Sequence, residues 1–376
     1  MHLSHILAIS VAAAVPGLCQ LDKLAKAAGL QYFGTAVDNP ALNNQGYMKI
    51  ARDASEFGSI TPANGQKWSN TESSQGRFSY GSGDAIANIA KQTGQQLRCH
   101  TLVWYNQLPG WVSSVYSRDQ MQRIITSHIQ NVAGHYKGQC THWDVVNEAM
   151  EDDGKYRQNP MYRAMGIDYI THSFKTAAAT DPNARLYYND FNIERCCNAK
   201  INGTLAMLKA VKAAGAPIHG VGMQGHSRVG KSPSKREMKE TMALFSELVD
   251  EVAFTEVDIR HTKLPTSAAD REQQAIDFLE VVGACLETKK CVGITVWDFA
   301  DQYSWIPGQY PGEGEACLWD KNYNKKPAYT SIASLLQSAA SAGLRSPPTT
   351  TAVATSVGAN GIMTAAALAT ATAVAK

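Results

Sequence analysis

Two segments pair a strand-like apolar run with a carboxylate at its C-terminal end. They are Thr141-His142-Trp143-Asp144-Val145-Val146-Asn147-Glu148 and Val252-Ala253-Phe254-Thr255-Glu256-Val257-Asp258. A strand buried in a parallel sheet reads as nearly continuous apolar sequence, and polar residues at its carboxyl end face whatever occupies the mouth of the sheet. Two such glutamates far apart in sequence, Glu148 and Glu256, suit a reaction that needs a pair of carboxylates, one to move a proton and one to attack. Either acid alone could equally open an ordinary loop.

The other strand ends carry a consistent inventory. Thr61-Pro62-Ala63-Asn64 is followed by Lys67-Trp68, and a later strand brings His100, Trp104 and Gln107. Asn147 precedes Glu148, Asn189-Asp190 ends another strand, and Gln224-Gly225-His226 ends a further one. Asp258 follows Glu256, and Trp297-Asp298 is followed by Trp305. Amides, a lysine and indoles suit a ligand with many hydroxyls and flat apolar faces, which describes a sugar chain. A single tryptophan is more often core than platform; it is the combination at strand ends that favours binding. No paired Cys-x-x-Cys set is present and the adjacent Cys196-Cys197 suits one tetrahedral site poorly, so no cysteine spacing suggests zinc.

These residues need a scaffold that brings strand ends together. Eight candidate strands lie at 31–37, 57–61, 97–103, 142–147, 184–189, 218–224, 252–257 and 292–297. Helical periodicity is clear over 84–93, 120–137, 199–215, 269–287 and 327–340. Ser234 and Glu237 form a capping-box pattern that opens a helix running to Val249. Strands alternating with helices predict one (β/α)₈ barrel over 20–344. No glycine-rich phosphate fingerprint follows the first strand to support a doubly wound sheet.

The chain has 376 residues, 44% hydrophobic, with a formal net charge of +2, which gives no electrostatic reason to expect nucleic acid. Residues 1–19 have the short apolar run and small terminal residues of a secretory leader, although the n-region lacks Lys and Arg. Secretion makes disulfides and glycosylation relevant. Of the 8 cysteines, cleavage after Cys19 removes one and leaves an odd number, so at least one thiol stays outside intrachain pairing. Cys285 and Cys291 bracket a short polar turn and are expected to pair; Asn202-Gly203-Thr204 is a glycosylation sequon at Asn202. Residues 345–376 are rich in Ser, Thr, Pro and Ala and read as a disordered tail, with a lipid-anchor signal as the minority reading. No separate binding module is expected there, and no membrane association unless that anchor is added.

At this point the chain resembles a known family. The runs TPANGQKW, RCHTLVW, QLPGW, HWDVVNE, LYYNDFN, GMQGHS, FTEVDIR and CVGITVWDFADQYSW are together similar to glycoside hydrolase family 10, the endo-β-1,4-xylanases, and to its secreted fungal members in particular. The resemblance spans residues 22 to 340. It implies a monomeric retaining enzyme that acts on xylan and needs no metal or cofactor, with Glu148 as general acid/base and Glu256 as nucleophile, the two carboxyls ~5–5.5 Å apart. By the same resemblance Asn147 bonds the sugar 2-hydroxyl, and His226 and Asp258 orient Glu256. Asn64, Lys67, His100, Trp104, Gln107, Gln224, Trp297 and Trp305 match sugar-binding positions. The chain departs from the family at Ala63, where a glutamate is usual, at Gln66, where a methionine is usual, and at Tyr105, where many members have histidine. Ala63 leaves two alternatives open: a retaining glucan-active enzyme, or a secreted sugar-binding barrel without turnover.

Overall fold

The computed structural model describes residues 20–345. The leader at 1–19 and the segment carrying the tail and anchor readings beyond Arg345 lie outside the described residues. The barrel strands are β1 (Tyr32–Val37), β2 (Ser59–Pro62), β3 (Gln96–Trp104), β4 (Cys140–Asn147), β5 (Arg185–Asp190), β6 (Gly220–Met223), β7 (Glu251–Arg260) and β8 (Cys291–Val296). All are parallel; β1 pairs with β2 and β8, and β6 pairs with β7, so the sheet closes on itself. A further strand, His226–Arg228, pairs only with the C-terminal end of β7. The sequence pattern does not mark it, because Gly225 interrupts the run after Gln224.

Helices cover the barrel at the places the periodicity marked. Lys235–Ser246 opens with the expected capping box, Ser234 accepting from the Glu237 N–H and Glu237 accepting from the Ser234 N–H, and it ends three residues before Val249. A second capping box, Ser267 with Asp270, opens Ala268–Leu286. Gly81–Thr93 begins ahead of Asp84, since Gly81, Ser82 and Gly83 add a turn that their weak helix propensity had hidden. Between β4 and β5 the chain forms Asp168–Thr180, whose Tyr169, Ile170, Phe174 and Ala177 are buried.

The barrel floor is more polar than continuous apolar strands suggested. Arg98 and Asp144 are ion-paired inside the barrel, each about 1% exposed, and the Arg98 guanidinium stacks 4.5 Å over the Tyr187 ring. Tyr187 donates to Glu251 at 2.8 Å. Such charges are tolerated because each has its partner in place.

Cys285 and Cys291 are bonded as expected. Cys99–Cys140 ties β3 to β4, Cys196 is bonded to Cys197, and Cys317 remains a buried free thiol. Asn202 is exposed on the helix Ala199–Ala213, open to a glycan. Arg345, the first residue of the segment assigned to the tail, is docked on the barrel: its guanidinium donates to the carbonyls of Cys291 at 2.9 Å and Lys289 at 2.8 Å. No described helix is long and apolar enough to cross a membrane.

Candidate active site

The C-terminal ends of the strands surround a cleft of about 870 Å³. Of the candidate catalytic and sugar-binding residues, all but Asp258 line it. Asp258 stands directly behind His226.

Glu148 is the first residue past β4 and has φ +57°, a left-handed conformation that a glutamate adopts at some cost. The backbone is held there from both sides: Glu148 N–H donates to Asn189 O at 2.8 Å, and Arg157 Nε donates to Glu148 O at 3.0 Å. This turn aims the carboxyl into the cleft. Its Oε1 accepts from Gln224 Nε2 at 2.8 Å and from Asn147 Nδ2 at 3.2 Å.

Glu256 sits within β7, about 5% exposed. Its Oε1 accepts from Asn189 Nδ2 at 2.7 Å, and its Oε2 is 3.3 Å from His226 Nε2. His226 Nδ1 in turn lies 2.9 Å from Asp258 Oδ1, and Asp258 Oδ2 accepts from Trp305 Nε1 at 2.7 Å. Trp305, expected as a sugar platform, therefore also fixes the carboxylate behind His226. Burial alone raises a carboxyl, yet Glu256 is held below the usual range because the His226 hydrogen bond and neighbouring His100 outweigh it. His226 shows the mirror effect. Burial works to lower it, and the charges of Asp258 and Glu256 raise it well above the ordinary histidine value. The result is an ionised, oriented carboxylate at Glu256.

In the sequence Asn189 shows only as a strand end. It stands in register with Asn147 on the neighbouring strand. Its Nδ2 donates both to Asn147 Oδ1 at 2.8 Å and to Glu256 Oε1 at 2.7 Å, while its Oδ1 accepts from Thr255 Oγ1 at 2.6 Å. One amide thus connects the Glu148 strand to the Glu256 strand. Gly222 makes room for it, since a Cβ there would lie 2.3 Å from Asn189 Oδ1. The position of Asn189 beside Asn147 was legible in the pattern; its hydrogen bonds depended on the barrel register.

Across the mouth, Lys67 Nζ donates to Asn64 Oδ1 at 2.9 Å and lies 4.8 Å from the Trp104 ring centroid. Asn64 also donates to Asp38 at 2.8 Å and accepts from Gln107 at 3.2 Å. Burial lowers the Lys67 ammonium to about 8. His100 Nδ1 is 3.0 Å from Asp144 Oδ2, which ties that side of the cleft to the Arg98–Asp144 ion pair beneath it. Gln66 is fully buried, bonded to the His100 N–H and to Cys99, so it supports this wall and does not face the cleft. Ala63 packs with Ala36 and Trp297 at the cleft surface. Tyr105 lies under the Arg157 guanidinium at 4.2 Å. A second acid near Glu148, Asp190, bonds Lys200 at 2.9 Å, and burial pushes its carboxyl up to about 7. Among the described residues, no cluster of three or more His, Cys, Asp or Glu could hold a metal ion.

The chain is similar to known proteins over most of its described length. The model of glycosyl hydrolase family 10 matches residues 20–335. The chain is 50% identical over 338 residues to endo-1,4-beta-xylanase 1 of Humicola insolens, covering 89% of this chain and 79% of that protein. It is 50% identical over 339 residues to endo-1,4-beta-xylanase D of Talaromyces funiculosus, covering 90% and 83%. Among solved structures, xylanase 10B of Thermotoga petrophila in complex with xylobiose superposes with a TM-score of 0.82 at 33% identity, covering 87% of this chain and 100% of that one.

Proposed function

The chain belongs to glycosyl hydrolase family 10, and from that premise we propose that it is a retaining endo-1,4-β-xylanase in which Glu256 is the nucleophile and Glu148 the acid/base. The observation that carries the assignment of roles is the unequal environment of the two carboxyls. Glu256 is held ionised by His226, itself backed by the buried Asp258, as an attacking group must be. Among the described residues Glu148 has no ionic partner, and its carboxyl accepts through Oε1 alone, from Gln224 and Asn147, which leaves Oε2 for a proton exchanged with the substrate.

The sequence of events follows. A Glu256 oxygen attacks the anomeric carbon while Glu148 gives its proton to the glycosidic oxygen; the C–O bond breaks and a glycosyl ester forms on Glu256. Water then attacks the same carbon, Glu148 takes its proton, and the ester opens to restore Glu256. Two displacements retain the β configuration. Asn147, whose Oδ1 is already oriented by Asn189, is placed to bond a sugar hydroxyl beside the reacting carbon. Asn64, Lys67 and Gln107 supply polar contacts, and Trp104, Trp297 and Trp305 supply apolar faces, for sugars along the cleft. Action outside the cell accords with the leader-like residues 1–19 and with the disulfides.

Comparison of rates on xylan, carboxymethyl cellulose and mixed-linkage β-glucan tests the substrate. Xylan is expected to be cleaved fastest, and a clear preference for either glucan would overturn the reading. A specific observation keeps the glucan reading as the alternative: Ala63 presents only a methyl group at the cleft, where the family resemblance leads one to expect an acceptor. Ala63→Glu is expected to lower KM for xylotriose-length and longer substrates by about 2- to 10-fold, the effect of one added hydrogen bond of ~0.5–1.5 kcal/mol. An unchanged KM would show that the position does not contact the substrate.

A further inference from the structure

The rim of the cleft farthest from Asn64 and Lys67 is cationic. Those two residues follow β2, and β2 and β6 lie on opposite sides of the closed barrel. Beyond β6 come Arg228 and Lys231; Arg260 ends β7, and Arg195 lies on the loop after β5, and all four line the cleft.

Arg228 and Lys231 open and close one tight turn. Lys231 N–H donates to Arg228 O at 2.9 Å, and Gly230 has φ +72°, the left-handed value a type II turn needs at its third residue. The turn is braced by three elements. Val229 N–H donates to Arg260 O at 3.0 Å, and Gly230 N–H donates to Asp277 Oδ2 at 2.7 Å. Arg195 donates through one nitrogen to Lys231 O at 3.1 Å and through another to Glu237 at 2.9 Å. The two cations are therefore presented on fixed backbone.

Arg228 also stands in register with Arg260 on the adjacent strand. Like charges opposite each other in a sheet are destabilising. Arg260 is compensated by Glu313 and by the Tyr310 ring at 4.1 Å. Among the described residues, Arg228 and Lys231 have no acidic partner, and both side chains are exposed. A braced, like-charged pair whose two side chains make no ion pair among the described residues, continuous with a cleft suited to a polysaccharide, is an arrangement suited to an anion carried by that polysaccharide.

We propose that Arg228 and Lys231 receive the carboxylate of a uronic-acid branch on the xylan chain, so that the protein prefers acidic, branched xylan to neutral xylan. The proposal rests on the xylanase reading above. The backbone of the polymer is uncharged, so the carboxylate must sit on a substituent, and a rim position accommodates a branch where the cleft floor cannot.

The test uses a uronic-acid-substituted xylan and the same preparation after reduction of its carboxyl groups to primary alcohols. For the full-length protein at low salt, kcat/KM on the acidic polymer is expected to exceed that on the reduced polymer by about 3- to 10-fold, the effect of one or two exposed ion pairs. The ratio should fall toward one in the Arg228→Gln/Lys231→Gln variant. It should also fall in the unmodified protein at ~1 M ionic strength, where screening acts within ~3 Å. The salt arm needs no variant, so a folding defect in the variant does not obscure the answer. If both polymers are cleaved with a ratio near one at low salt, or with a ratio unmoved by salt and by the double substitution, the rim proposal is overturned while the xylanase reading stands. If neither polymer is cleaved, the xylanase reading fails and the rim proposal fails with it.

Discussion

Glu256→Ala is expected to lower kcat on xylan by on the order of 10⁴-fold or more, because no group then attacks the anomeric carbon and loss of a nucleophile removes most of the catalysis. KM should change little, since the sugar contacts proposed for Asn64, Lys67 and the tryptophans are untouched. The variant should fold, because alanine leaves His226 paired with Asp258 and leaves Asn189 bonded to Asn147 and Thr255. A small anion such as azide can enter the vacated space and attack from the same side, so activity on an aryl xyloside is expected to recover with an α-glycosyl azide as product. Chromatography and NMR of that product provide the check. Residual xylanase activity within tenfold of the unaltered protein would show that Glu256 is not the attacking group.

Glu148→Ala has a different expected signature. Hydrolysis of xylan should fall by about 10²–10⁴-fold, the usual contribution of a general acid. Aryl glycosides with good leaving groups need little protonation, so their first step should persist. Water must then attack without a base, and the glycosyl ester should accumulate, visible as a burst of released phenol followed by a slow steady rate. Azide, which needs no base, should speed the second step and give a β-glycosyl azide. The opposite azide stereochemistries of the two variants separate the two roles. If both glutamate variants retain the hydrolysis rate of the unaltered protein, the site is not catalytic and the sugar-binding reading applies.

How much of this could be read before the structure depended on the range of the interactions. The two glutamates were legible because buried strands are apolar for several residues and then change character at Glu148 and Glu256; Glu148 does follow the end of β4, whereas β7 continues past Glu256 to Arg260. The Ser234 capping box was legible because both partners lie three residues apart. The link from Asn189 to Glu256 spans 67 positions and exists only once the barrel register is set, so no local pattern carried it. The same holds for Trp305, whose indole anchors Asp258 from 47 residues away. Arg98 and Asp144 were hidden for another reason. Charged residues contradict the apolar pattern of an inner strand, and they are accommodated only because each finds the other on the adjacent strand. The short strand His226–Arg228 escaped because Gly225 breaks the pattern just where the chain turns to bring His226 against Glu256.

The claim on which the rest depends is that Glu256 attacks and Glu148 exchanges the proton, through two displacements. The most direct measurement is the anomeric configuration of the reducing end formed first, followed by ¹H NMR as xylan or a xylo-oligosaccharide is cleaved at high protein concentration. The β-anomer should appear first, with the α-anomer rising only at the rate of spontaneous mutarotation. Initial appearance of the α-anomer would mean a single displacement by water, and the nucleophilic role of Glu256 would be wrong.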